Sequence, residues 1–506
     1  MKQQTWHKHH KWSGLALCFF LLMLCLSGIA LNHRALIAEV NVSRGLLPPW
    51  YRFHNWNNGL LRGTIALAPD TVLIYGAGGV FLSHGDTVAD FNQGLPTGAD
   101  RRAMRAMVRA RDGRLFALSQ FGLFTRGAGA ESWTEIPVPT TEEERLSDLV
   151  LQGDTLVAVG RSRLYIASVL PHPTGASAQR DRLSLTPLSL QPAEGEQPRV
   201  SLFKTLWRLH SGELFGLPGK LVADAIALVL LFLAITGALC WLLPKGIKRR
   251  NRRRIRTGSA VQAKEERTAR HPALATLRLS HYWHNRVGRL TIILTALIVL
   301  TGWCLRPPLM VPLALASIPQ PTREAAWHDQ LRALRYDGQQ GDWLLFTADG
   351  FYALPALDGV PVKEEKAPAV SVMGINVWER NARGDWLVGS FSGMSIWARH
   401  EAQVYDYFTL LPVDPSRRGA PFGQVPVSGY SAHLTGEPLV VTYSHGTDAL
   451  PQPAALSRLP MSLWNVALEV HTGRIYFADA ATYFWIFLVG ALALWCLWSG
   501  WKIRRK

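Results

Sequence analysis

Apolar residues along this chain collect into four runs, and between them the pattern changes to short alternations punctuated by glycine. The runs fall at 13–32, 219–243, 286–306 and 480–500, each close to the about 20 residues that a helix needs to cross a hydrocarbon layer. A helix in lipid satisfies its own backbone donors and acceptors, so each run predicts a spanning helix. The third run is shortest in its apolar core and stops at Arg306-Pro307-Pro308; Arg286 and Arg289 extend it upstream as side chains that can snorkel to the interface.

The stretches 33–218 and 307–479 read differently. Short β-type runs such as Val72-Leu73-Ile74-Tyr75, Leu115-Phe116-Ala117-Leu118 and Leu156-Val157-Ala158-Val159 are each followed by a turn and a second strand. Phe81, Phe124 and Tyr165 hold equivalent places in those second strands, 43 and then 41 residues apart, which is the period of one propeller blade. Phe351 and Ser395, 44 apart, repeat the idea in the second stretch, with Leu439 to Ser444 as a further strand. Two arrangements fit: one composite propeller of about five to seven blades drawn from both stretches, or two separate β-sandwich-like lobes. Residues 176–198, rich in Ser, Pro, Gln and charge, read as a linker. Leu202, Leu206, Leu209 and Leu214 have helical spacing, so 202–217 is expected to lie as an amphipathic helix on the outer membrane surface.

The chain is also duplicated. A shift of 274 positions places His7 on His281, His10 on His284, Gly14 on Gly288 and Gly28 on Gly302. Leu209-His210-Ser211-Gly212 and Val470-His471-Thr472-Gly473 are likewise alike, each just ahead of an apolar run. The expected fold is a membrane protein with a four-transmembrane-helix bundle built from two duplicated halves, carrying β-rich, propeller-like periplasmic segments.

Composition matters here through the placement of charge. The net charge of +17 comes from the N-terminal segment 1–12, the C-terminal segment 501–506 and the central linker, where fourteen Lys and Arg between Lys245 and Arg289 face only Glu265 and Glu266. Basicity at loops beside membrane runs is a topological signal rather than a nucleic-acid footprint. It puts both termini and the linker 244–285 in the cytoplasm and 33–218 and 307–479 outside, with the linker free to touch anionic lipid. The first run is long for a cleaved leader and is read as an uncleaved anchor. All five cysteines fall within the apolar runs and no Cys-x-x-Cys-His occurs, which excludes covalent c-type haem.

Histidines gather at the ends of the spans. His10 and His284 lie at the cytoplasmic ends of the first and third runs, with His7 and His281 as weaker neighbours; His33, His210 and His471 lie at the outer ends. A haem needs two axial imidazoles on facing helices and small residues that let the macrocycle approach. His10 and His33 are 23 residues apart, about 35 Å along a helix, so one haem cannot use both ends. The placement predicts two sites: an inner one held by His10 and His284, and an outer one held by two of His33, His210 and His471. Ser27-Gly28, Thr236-Gly237 and Thr301-Gly302 serve either helix packing or porphyrin access. The exterior histidines His54, His84, His172, His328, His400, His433 and His445 have no ligand spacing.

His10-Lys11-Trp12-Ser13-Gly14-Leu15, Leu31-Asn32-His33, Leu209-His210-Ser211-Gly212 and Thr236-Gly237 together resemble the motifs of the PepSY-associated transmembrane helix family, with His284 and His471 opening second copies. That resemblance implies inner-membrane proteins with bis-histidine haem b, two per chain here, that reduce ferric siderophores in the periplasm. The expected partners are then membrane lipid, a ferric siderophore or other iron chelate, and a quinol or cytoplasmic electron donor, with no nucleic acid. The expected activity is of ferric reductase type. The exterior stretches carry no recognisable PepSY domain, and Pro307 stands where the repeat would place a partner of His33. The alternative is a non-enzymatic, membrane-anchored β-domain that binds a ligand or acts as a sensor, with interfacial histidines.

Overall fold

The computed structural model describes residues 2–85, 87–140, 144–170, 183–193, 199–256, 272–319, 326–371, 373–414 and 423–503. Parts of the expected linker (176–182 and 194–198), of the basic linker (257–271), the terminal 504–506 and His172 lie outside the described residues. The chain divides into a helical unit, Met1–Ile37 with Arg199–Pro319 and Leu463–Lys506, and a β unit, Ala38–Pro198 with Gln320–Ser462. This is a membrane protein.

In the helical unit, α1 is Gln3–Asn32, α2 Leu202–Ser211, α3 Gly216–Arg256, α4 Pro272–Leu290, α5 Ile292–Cys304, α6 Leu463–His471 and α7 Asp479–Lys502. Helix α1 packs on α3, α6 and α7; α3 packs on α4, and α5 on α7 and α2. Phe19, Leu228, Ile293 and Leu488 stay exposed on these helices, as expected of side chains solvated by lipid rather than water. Helices α1, α3 and α7 are long and apolar enough to span. The third run differs from the straight span expected at 286–306, because α4 and α5 meet at a bend of 70°. Thr291 and Thr295 there turn their hydroxyls back onto Val287 O (2.9 Å) and Thr291 O (3.0 Å), a bonding pattern that bends helices. The chain has four spans only if that pair crosses as one. The helices also overrun the expected limits: α1 starts within 1–12, and α3 continues past Pro244 into the linker.

Helix α2 starts where Ser201 Oγ accepts from Lys204 N (3.2 Å) and stops at Gly212, whose φ of 80° is left-handed. A Cβ on Gly212 would sit 2.1 Å from Gly219 O, so only glycine permits this tight passage into α3. Gly473, at φ 78°, follows α6 in the same way. The two His-Ser/Thr-Gly motifs thus fix His210 and His471 in the last turn of a short helix.

Among the described residues, the β unit has five antiparallel four-stranded sheets, each made of strands consecutive in sequence. They begin with strands Gly63–Ala68, Met104–Arg109, Leu146–Gln152, Leu331–Asp337 and Ile375–Arg380; a hairpin of Val427–Thr435 and Glu437–Thr442 makes a sixth element. The second strand of each sheet is buried almost throughout, which is why Val72 to Tyr75 and Trp386 to Ser390 read as unbroken runs. One apolar cluster lies between each sheet and the next, and two more join the hairpin to the fifth and first sheets, so the six elements close into a ring. Tyr430 N donates to Arg62 O (3.2 Å) across that closure. Asn41–Val42 also pairs with Met461–Ser462, tying the first residues of the unit to its last. Both stretches therefore belong to one unit rather than to separate lobes. Within the expected linker, Thr186–Leu188 is instead the fourth strand of the third sheet, paired with Leu164–Ser168; two turn-forming flanks disguised three paired residues.

Candidate functional site: two imidazole pairs

Four histidines from the four motifs meet in two pairs inside the helical unit. The rings of His10 and His284 have centroids 5.9 Å apart at 59°, and those of His210 and His471 are 6.0 Å apart at 47°. Each pair takes one histidine from each half of the duplication. This settles which of the outer histidines meet: His210 finds His471.

Each ring lies against a glycine on a neighbouring helix. A Cβ added at Gly28 would sit 3.1 Å from His471, at Gly237 3.3 Å from His284, at Gly302 2.8 Å from His210 and at Gly500 2.8 Å from His10. Each glycine follows a Ser or Thr: Ser27, Thr236, Thr301 and Ser499. Thr236 Oγ1 donates to Phe232 O (2.7 Å) and Thr301 Oγ1 to Leu297 O (2.9 Å). With its proton committed, each threonine oxygen accepts from the imidazole, His284 Nδ1 at 3.0 Å and His210 Nδ1 at 3.0 Å. His10 Nδ1 donates to Cys496 O (3.0 Å) and His471 Nδ1 to Leu24 O (2.9 Å), in each case the carbonyl four residues before the glycine.

The chemical result is the same four times. Nδ1 carries the proton, and Nε2 keeps a lone pair available to a metal. Two metal–imidazole bonds of about 2 Å each, with about 1 Å more from each nitrogen to its ring centroid, span about 6 Å, which is the separation of both pairs. Among the described residues no group of three or more His, Cys, Asp or Glu converges on a metal-sized point. A centre whose remaining ligands come from a macrocycle needs only the two imidazoles, so the pairs fit haem iron.

The other candidates are placed elsewhere. His33 Nε2 bonds Asp224 Oδ2 at 2.9 Å, and Asn32 Nδ2 donates to Asp224 Oδ1 at 2.8 Å, so His33 is held by a buried carboxylate outside the His210–His471 pair. His281 is hydrogen-bonded to Asn285 (3.2 Å) on the surface, and His7 belongs to neither pair. The residue that sequence reasoning missed is Gly500; the Ser499-Gly500 dipeptide in the fourth run, matching the other three, was the signal.

These features define a class, a membrane protein whose helices present paired imidazoles from a duplicated motif. Residues 1–244 match the family model of the PepSY-associated TM region, the family that the motifs resemble. The comparison with curated proteins gave no match. Among solved structures, the chain is similar to the extracellular domain of a putative one-component system from B. thetaiotaomicron (8% identity, TM-score 0.34, covering 78% of this chain and 38% of that one). It is also similar to YCF48 from Cyanidioschyzon merolae (12% identity, TM-score 0.20, covering 25% of this chain and 45% of that one). The chain thus spans less than half the length of either structure.

Proposed function

We propose that the chain is a transmembrane electron-transfer protein that holds two b-type haems, at His10–His284 and at His210–His471, and reduces chelated ferric iron on the side of its β unit. The observation that carries this is the fourfold imidazole arrangement: two pairs with ring centroids about 6 Å apart and every Nδ1 hydrogen-bonded, with no Nε2 hydrogen-bonded among the described residues. When bound, haem supplies reversible one-electron chemistry. The residues of the chain hold the ring planes, fix the tautomer through Nδ1 and keep the approach open at the glycines.

His10 and the receiving Gly28 lie 18 residues apart on α1, about 27 Å along the axis at 1.5 Å per residue. That spacing supports a reading in which the pairs lie toward opposite faces of a bilayer and the bent α4–α5 pair is the fourth span. The basic segments support an orientation in a bacterial inner membrane with both termini in the cytoplasm and the β unit in the periplasm. We read the ring of sheets as a six-bladed composite propeller. A cytoplasmic or quinol donor supplies the electrons. Release of iron then follows from chemistry, because hard oxygen donors hold Fe(II) far less well than Fe(III). The alternative, a tethered ligand-binding β unit with merely interfacial histidines, leaves the four Nδ1 contacts and four receiving glycines without a reason.

The test uses the purified full-length protein, reduced with dithionite under anaerobic conditions and desalted. Addition of a ferric siderophore with an Fe(II)-specific chromophore is expected to return the Soret band to its oxidised position as Fe(II) appears stoichiometrically. A reduced spectrum that persists with every ferric chelate offered would rule out iron reduction.

A further inference from the structure

The axis of the β-unit ring holds a second site, unrelated to the imidazole pairs. Among the described residues, a cavity of about 80 Å³ there is lined by Arg62, Arg105, Arg161, Arg332 and Arg335 and by two carboxylates, Asp148 and Glu379. Its lining is built by a repeated irregularity. The first strands of sheets two to five each carry a β-bulge at the same place, between Met104 and Ala106, Leu146 and Asp148, Leu331 and Ala333, and Ile375 and Val377. The bulged residues are Arg105, Ser147, Arg332 and Asn376, and all four line the cavity. A bulge re-aims a side chain at the cost of a ladder bond, so four in register mark a constructed feature.

The charges within it do not balance. Arg335 Nη1 pairs with Asp148 Oδ2 at 2.6 Å, and Arg161 Nε with Asp329 Oδ1 at 3.0 Å. Arg62 instead donates to neutral oxygens: Arg105 O (3.0 Å), Asn376 Oδ1 (3.3 Å) and Ile375 O (3.1 Å). Among the described residues, Arg62, Arg161, Arg332 and Arg335 outnumber Asp148, Glu379 and Asp329 by one. Burial, and then the Arg161 charge, pull Arg332 down to about 9. Burial also raises the Glu379 carboxyl above its ordinary range, with the Arg335 charge opposing, which weakens one of the two negative charges present. Enclosed charge of one sign is costly unless a counter-charge joins it.

We propose that this cavity binds a small oxyanion with two or more oxygens, a phosphate or a short dicarboxylate, held by Arg62, Arg105, Arg332 and Arg335. The volume admits an anion of that size. Planar guanidinium forks match both chemistries, and the two sources are separated by experiment.

Isothermal titration of the full-length protein in detergent with phosphate, with malonate and with chloride at matched ionic strength tests this. Saturable binding of phosphate or malonate, and none of chloride, is expected; whichever of the two binds tighter names the source. Arg105→Gln is expected to weaken binding about tenfold, by loss of one charge-assisted contact. Glu379→Gln removes a negative charge from the lining without touching an arginine, and is expected to tighten binding several-fold, an outcome that misfolding cannot imitate. Equal, non-saturable responses to all three salts, or identical affinities in wild type and both variants, would overturn the proposal.

Discussion

Replacing His10 by alanine is expected to lower haem content from two per chain to one, and to cut electron transfer across the membrane at least about a hundredfold, the scale at which losing a metal-site residue is felt. The remaining haem is expected to keep the spectrum of a bis-imidazole centre, because His210 and His471 share no hydrogen bond with the first pair. His284→Ala is expected to give the same result, and the double variant no more than either single one, because on the proposed assignment both residues hold one iron. His210→Ala and His471→Ala are the mirror set. His33→Ala supplies the control: its ring is engaged by Asp224, so both haems should stay. Pyridine haemochrome assay of each purified variant reads all of these.

The second large effect concerns glycine. Gly500→Ala places a Cβ 2.8 Å from His10 Cε1, and Gly302→Ala does the same to His210 Cε1. Alanine in a helix is normally better than glycine by about 1 kcal/mol, so helix stability predicts a benign or helpful change. The packing predicts the reverse: the imidazole is pushed off its Nδ1 acceptor, and the haem on that pair is lost or becomes high-spin. Gly14→Ala is the matched control, because its Cβ would meet only Cys496 Sγ at an ordinary 3.6 Å. Loss of one Soret component in Gly500→Ala, with wild-type haem in Gly14→Ala, is the expected result. Full haem in both would remove the glycines from the account.

Most of the site was legible because it is written in local chemistry. A His two residues before a left-handed glycine recurs at His210 and His471, and the repeat at a shift of 274 pairs His10 with His284, so recurrence exposed all four without any structure. What stayed hidden depends on partners distant in sequence. Asp224 is 191 residues from His33 and looks like an ordinary polar position in an apolar run. The choice of His471 over His33 for His210 follows from how α1, α5 and α6 pack, which no spacing encodes. The bend at Thr291 was masked because threonine is unremarkable inside a membrane helix until its hydroxyl bonds backward. In the β unit the 41–44-residue period announced repeated sheets. Ring closure did not announce itself, because the hairpin Val427–Thr435 with Glu437–Thr442 lacks two strands and the ring draws on both halves of the chain. The in-register bulges, and with them the arginine-lined cavity, leave no trace in hydropathy, since one extra residue per strand looks like any other turn-proximal polar position.

The most direct test of the central claim is the haem content and spin state of the wild-type protein purified from haem-replete cells. Two haem b per chain, low-spin in electron paramagnetic resonance and with a Soret band that shifts on dithionite, is the predicted result. Colourless protein, or high-spin haem bound at a single site, would contradict it.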